Sequence, residues 1–171
     1  MNLIINENNL KTGDVSETSL KVRALLVNDE GEILIERFGN TVLFPGGTIY
    51  SNESIFRGIV GELKEETGCE YNSDELKFLA SVYHFQKGYP MNDGKTKNRL
   101  VVTNYFIGDY KYEIGNADES SFELVSLEEL ENLVSINDND NLKNKFFKEE
   151  VVEVIKAYKK YKGKTLSKKI K

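Results

Sequence analysis

Glu62, Glu65 and Glu66 crowd together in the stretch GGTIYSNESIFRGIVGELKEETGCE, residues 46–70, with Glu53 a little upstream. On a helix, carboxylates three and four positions apart share a face and repel one another. Gly58 and Gly61 fall inside the same run, and an interior helical glycine costs roughly 0.5–1 kcal/mol relative to alanine. A solvated helix has no use for crowded acids beside bare backbone. Carboxylate oxygens do suit Mg²⁺ or Mn²⁺, which take hard oxygen ligands and commonly bridge protein carboxylates to substrate phosphates. With a single cysteine, Cys69, and a single histidine, His84, a thiolate or imidazole zinc site cannot be built. Any metal here is oxygen-bound.

The elements that must hold these acids are legible around them. LKVRALLV (20–27) and EILIERF (32–38) are apolar runs joined by NDEG, whose residues suit a tight hairpin. TVLFPGG ends a short third strand at Pro45, and its glycines free the backbone for an unusual turn before a helix from about Ser54 to Thr67. At about 100° per residue, Ile55, Phe56, Ile59, Val60 and Leu63 form an apolar stripe toward the sheet, with the glutamates and both glycines beside it as a low floor. LKFLASVYHF (76–85) and RLVVTNYFIG (99–108) read as strands separated by the loop QKGYPMNDGKTKN, and FELVSLEELENL as a strand end entering a short helix. Residues 144–161 carry Phe147, Val151, Val154, Ile155 and Tyr158 at helical spacing. This order of elements predicts an α/β protein, a mixed sheet sandwiched between helices, in one domain over residues 1–171 with residues 162–171 as a flexible basic tail.

The same residues resemble the Nudix box, G-x5-E-x7-R-E-U-x-E-E-x-G-U with U aliphatic. Gly47, Glu53, Glu62, Leu63, Glu65, Glu66 and Gly68 stand in register, Cys69 takes the last aliphatic slot, and Gly61 stands where the family has arginine. The resemblance implies a Nudix-like α/β/α sandwich and a Mg²⁺- or Mn²⁺-dependent pyrophosphohydrolase, cleaving a nucleoside diphosphate linked to another moiety by water attack on phosphorus. The alternative is a catalytically weakened nucleotide-binding or regulatory module of the same fold. By similarity to the box, Glu65 and Glu66 bind metal, Glu62 binds metal or activates water, and the Gly47 region offers a carbonyl. Glu53, at the helix start, braces the turn. The family often adds a distant carboxylate before an SLEEL-like helix. Glu123 occupies that place, either as a catalytic group or as an ordinary exposed strand residue, with Glu113 and Glu119 as weaker candidates. Arg57, one turn before Gly61, either sweeps over the vacated arginine position and touches substrate or simply faces solvent.

A nucleotide base needs a flat aromatic wall, and Tyr83, Phe85 and Tyr105 on the two late strands are the candidates, alternation leaving about half of such residues in the core. His84 reads as a hydrogen-bonded strand residue and Cys69 as packing. Subfamily markers do not converge on one substrate. The chain has 23 basic and 28 acidic residues, and the stretch from Lys156 onward holds eight of the basic ones and no acid. The acidic remainder argues against nucleic-acid binding, whose affinity comes largely from phosphate neutralisation. Without a membrane-length apolar run or a secretory-type start, the expectation is a cytoplasmic protein whose partner is a small nucleotide, with a homodimer as the assembly allowed for.

Overall fold

The computed structural model describes residues 1–50, 52–111 and 121–170. Its elements are β1 (Asn2–Ile5), β2 (Glu17–Val27), β3 (Ile33–Phe38), β4 (Thr41–Leu43), β5 (Gly46–Thr48), α1 (Ile55–Thr67), β6 (Leu76–Pro90), β7 (Thr96–Asp109), β8 (Phe122–Val125), α2 (Leu127–Leu133) and α3 (Leu142–Ile170). The strands form one mixed sheet in the order β1-β6-β7-β2-β3-β4, with β5 added to β2 and β8 to β3. Strands β2 and β7 run parallel, as do β1 and β6, and the other pairs are antiparallel.

Alternation along the strands divides the core into two layers. Val22, Ala24 and Leu26 of β2 and Leu34 of β3 pack with Ile59 and Leu63 of α1. Leu25, Ile33, Ile35 and Tyr105 pack on the other face with Leu130 of α2 and Val151, Val154, Ile155 and Tyr158 of α3. The result is the expected α/β/α sandwich.

The expected antiparallel hairpin of β2 and β3 is present and pairs at its tip, Val27 with Ile33, because β2 gives its length to β7 and β5. Four local expectations are corrected. The loop expected after residue 85 is mostly strand: β6 and β7 continue to a tight turn in which Met91 N donates to Lys95 O at 2.8 Å and Gly94 takes φ 79°. Ile55 is exposed rather than part of the buried stripe, and Phe146 is the buried aromatic at the start of α3 where Phe147 was expected. Finally, α3 does not end at Tyr161 but runs on to Ile170 through exposed residues, so the basic stretch 162–170 is helix rather than tail.

Helix α1 starts where Ser54 Oγ accepts the backbone N–H of Arg57 at 3.2 Å, and stops where Gly68 enters the left-handed region at φ 73°. Its two interior glycines differ. A Cβ on Gly58 would collide with Cγ2 of buried Ile49, whereas one on Gly61 meets nothing within 4 Å. Gly58 is therefore the residue that lets α1 approach the sheet. Gly58→Ala is expected to destabilise by about 1–2 kcal/mol, overpacking outweighing the gain in helix propensity. Gly61→Ala is expected to stabilise by roughly 0.5–1 kcal/mol. Denaturant titration of the two variants should give shifts of opposite sign, and a like sign would refute this division of roles.

Candidate active site

Helix α1 packs chiefly on β5 and β2, and this contact aims its acids at the turn before β5. Glu66 Oε2 accepts the backbone N–H of Gly46 at 3.0 Å. Gly46 itself lies flat on β2, since a Cβ there would fall 2.7 Å from Arg23 Cα. The Cα of Gly47 lies against Glu62: a Cβ would sit 2.6 Å from its Cδ. The floor predicted under the carboxylates is real, but Gly46 and Gly47 make it, not Gly58 and Gly61.

Burial, with added repulsion from Glu36 and Glu62, raises the Glu66 carboxyl to about 7, against the pull of the Gly46 N–H and Arg23. Glu62 is raised by burial first and then by the charges of Glu65 and Glu53, with Arg23 again opposing. Glu66 therefore holds its charge reluctantly at neutral pH. Among the described residues, no three His, Cys, Asp or Glu side chains are assembled closely enough to hold a metal ion. The donor chemistry nevertheless fits a divalent cation, because the ligands are hard oxygens whose mutual repulsion a cation relieves.

Two charged residues join this site beyond those the sequence pattern points to. Glu36 of β3 is buried and close enough to Glu66 to raise it. It follows Leu34 on the α1 side of the strand, so period-two alternation carried the signal. Arg23 of β2 is 8% exposed, donates Nη1 to the Phe44 carbonyl at 2.7 Å, and is the cation whose field reaches both Glu62 and Glu66.

The other predicted residues scatter. Glu123 pairs with Arg37. Its neighbours Phe122 and Leu124 pack on the α1 side, which turns Glu123 toward the α2 and α3 side, where Arg37 lines a cavity with Asp140 and Lys148. The structure does not bring Glu123 to the α1 acids, which corrects its expected catalytic place. Glu113 and Glu119 lie outside the described residues. Arg57 keeps its side chain exposed. Tyr105 is 2% exposed, packs edge-on to Phe44 and donates its hydroxyl to Glu150 Oε1 at 2.5 Å. It is a core anchor, not the stacking wall expected. Tyr83 and Phe85, half-buried opposite Val102 and Leu100, lie on the sheet face away from α3. His84 is fully buried against Glu150, and Cys69 is buried in the α1 layer.

Comparison with known proteins agrees with this fold. The family model for the NUDIX domain matches residues 18–149. No curated protein matches the chain. Among solved structures, the MutT protein from Methanosarcina mazei Go1 is similar at 21% identity and a TM-score of 0.53, over 80% of this chain and 95% of that one. The E. coli ORF135 protein is similar at 21% identity and a TM-score of 0.50, over 72% and 83%. A MutT NUDIX hydrolase from Burkholderia pseudomallei is similar at 17% identity and 0.50, over 78% and 98%.

Proposed function

The chain belongs to the Nudix family and is a Nudix hydrolase, and from that premise we propose that it is a divalent-metal-dependent pyrophosphohydrolase, cleaving a nucleoside diphosphate linked to another moiety by water attack on phosphorus. The observation that carries this reading is the half-buried pair Glu62 and Glu66, in which the charge of Glu62 raises Glu66, above a side-chain-free Gly46–Gly47 floor. Glu62, Glu65 and Glu66, with the backbone near Gly47, would hold Mg²⁺ or Mn²⁺. The cation would supply charge neutralisation at the diphosphate oxygens and polarise the attacking water.

The protein's own groups supply orientation and a proton acceptor. The Gly46 N–H fixes one Glu66 oxygen, so this carboxylate meets its ligand without first losing rotamer freedom. Glu62, raised by burial and by Glu65 and Glu53, is closer in proton affinity to neutral pH than an ordinary carboxylate, as a general base for water should be. The bare Gly47 lets a phosphate approach the backbone beside it. Tyr83 and Phe85 remain the residues proposed to face a base, and Arg57 the one proposed to reach substrate from the first turn of α1.

A Mg²⁺-dependent panel of nucleoside triphosphates, nucleotide sugars and dinucleoside polyphosphates, with products separated by chromatography, tests the assignment. Release of a nucleoside monophosphate or pyrophosphate from one member is expected, abolished by EDTA. Full turnover in EDTA would remove the metal from the mechanism. The second reading, a nucleotide-binding module, draws on the open space at Gly61 and the exposed Arg57. It predicts a melting temperature raised by a nucleotide that is recovered intact.

A further inference from the structure

A cleft lies between the sheet and the first turns of α3, on the sheet face opposite α1. Lys21, Arg23, Gln86, Arg99, Thr103 and Glu150 are among its lining residues. The parallel register of β2 and β7 sets Lys21 beside Thr103, and the antiparallel register of β6 and β7 sets Gln86 beside Arg99. These side chains thus share the face beneath α3.

The cleft has more positive charge than its own acid can answer. Glu150 is committed to His84 Nδ1 at 2.9 Å and to the Tyr105 hydroxyl. Arg99 donates Nε to Gln86 Oε1 at 2.6 Å and lies over the Tyr89 ring. Lys21 is left in a cationic field: burial, then Arg23 and Arg99, push its ammonium down to about 8, with Glu150 opposing. Thr103 is 1% exposed and its hydroxyl has no hydrogen-bond partner, so a buried donor faces the same space. The interior measures about 20 Å³, room for roughly one water-sized group. A ring cannot enter, and an oxygen can.

We propose that this cleft is an anion subsite in which Lys21, Arg99 and Thr103 hold an oxygen of a phosphate group that the substrate carries in addition to the diphosphate cleaved at α1. The assignment rests on the hydrolase reading above and narrows it to substrates with such an extra phosphate. Arg23 links the two places, lining the cleft while its charge reaches Glu62 and Glu66. A compact anion there both accepts from the Thr103 hydroxyl and restores the charge balance around Lys21, whereas water would do only the first.

The test uses the full chain and inorganic phosphate, with EDTA present so that binding through a cation at α1 is silent. Calorimetry should show wild-type binding weakened at least tenfold in Lys21→Met and several-fold in Thr103→Val. Both variants keep the apolar volume of the site, and their ligand-free melting temperatures report that they are folded. Undiminished phosphate binding in folded Lys21→Met, or no binding by wild type, overturns the subsite. In turnover, Lys21→Met should raise KM about tenfold for a nucleoside diphosphate derivative bearing an added phosphate monoester and leave KM for the matched compound without it nearly unchanged. Equal effects on the two compounds, or none on either, overturn the assignment to substrate and leave free phosphate as the source. Because calorimetry reads no hydrolysis, a protein inactive on every compound but binding phosphate as expected would count against the proposed function, not against the cleft.

Discussion

Glu66→Gln is expected to cut Mg²⁺-dependent turnover by on the order of 10²–10³ or more, the loss that removal of one preorganised electrostatic group generally brings, while the protein becomes slightly more stable. The two signs are opposed for one physical reason. Glutamine keeps the length of the side chain and an oxygen that can accept the Gly46 N–H, which Glu66 Oε2 now takes at 3.0 Å. It loses the charge that a cation needs and that the fold holds at a cost, since burial and the charges of Glu36 and Glu62 raise this carboxyl to about 7. A carboxyl whose folded pKa is raised binds protons more tightly folded than unfolded, so it subtracts stability as pH rises past 4.5, and its removal returns that stability at neutral pH. Glu66 is partly open to solvent, so the gain should be about 1 kcal/mol after screening, a rise of roughly 2–4 °C in melting temperature for a chain of this size. Glu62→Gln should behave alike. If both variants hydrolyse substrate at the wild-type rate, α1 is not the catalytic helix.

Gly61→Arg asks the complementary question at the same site. Nothing stands within 4 Å of a Cβ there, so the arginine's first carbon displaces no neighbour. A rise in kcat would mean that Gly61 is a loss left uncovered. Silence would mean that the positive charge is already supplied, and Arg23, whose field reaches Glu62 and Glu66, is the residue placed to supply it.

The acids of α1 could be read from the sequence because a helix converts spacing directly into a shared face. The same holds for Ile59 and Leu63, which are fully buried. What surrounds the acids was harder to see, because it depends on which strand pairs with which. Glu36 and Arg23 become site residues only through the packing of β5 on β2 and of α1 on both. Glu123 had the right chain position and the wrong face, and a one-residue change of register is enough to reverse a face. Strand β1 has no local signal in the sequence, because its parallel partner β6 lies some eighty residues away, Ile4 pairing with Tyr83. The aromatic wall failed at Tyr105 for a related reason: its inward side chain meets Glu150 of α3, forty-five residues later.

That meeting underlies the largest stability effect expected of a single substitution. Glu150 joins α3 to the sheet, accepting from Tyr105 and pairing with His84 Nδ1 at 2.9 Å, while His84 Nε2 lies 3.4 Å from Glu149 without hydrogen-bond geometry. Glu150→Ala leaves Tyr105 buried without its acceptor and His84 without its carboxylate, with only Gln86 Nε2 at 3.3 Å from Nδ1, which should cost about 3–5 kcal/mol, or on the order of 10 °C in melting temperature. The pH dependence identifies the cause. Burial raises the Glu150 carboxyl, but His84, Tyr105 and Arg23 outweigh it and hold the group below its ordinary 4.5, so its contribution is present above that pH and is lost in acid. Burial likewise depresses His84, but Glu149 and Glu150 outweigh it and hold the imidazole above its ordinary 6.5, so that contribution is complete below 6.5 and is lost as pH rises through the folded value. The pair therefore contributes most between about pH 4.5 and 6.5. Glu150→Gln keeps the shape and can accept from Tyr105 but has no charge, so the difference in stability between wild type and this variant should be widest in that window and shrink toward alkaline pH. Taking the difference cancels the groups that Glu150 does not touch; Lys21, whose lowered pKa of about 8 Glu150 helps to hold up, keeps a share in it that is lost only as pH rises through about 8. Denaturant titrations of wild type, Glu150→Ala and Glu150→Gln from pH 4 to pH 9 measure it. A gap between wild type and Glu150→Gln that stays constant across that range would mean that the contact works by shape and hydrogen bonding alone, with His84 neutral throughout.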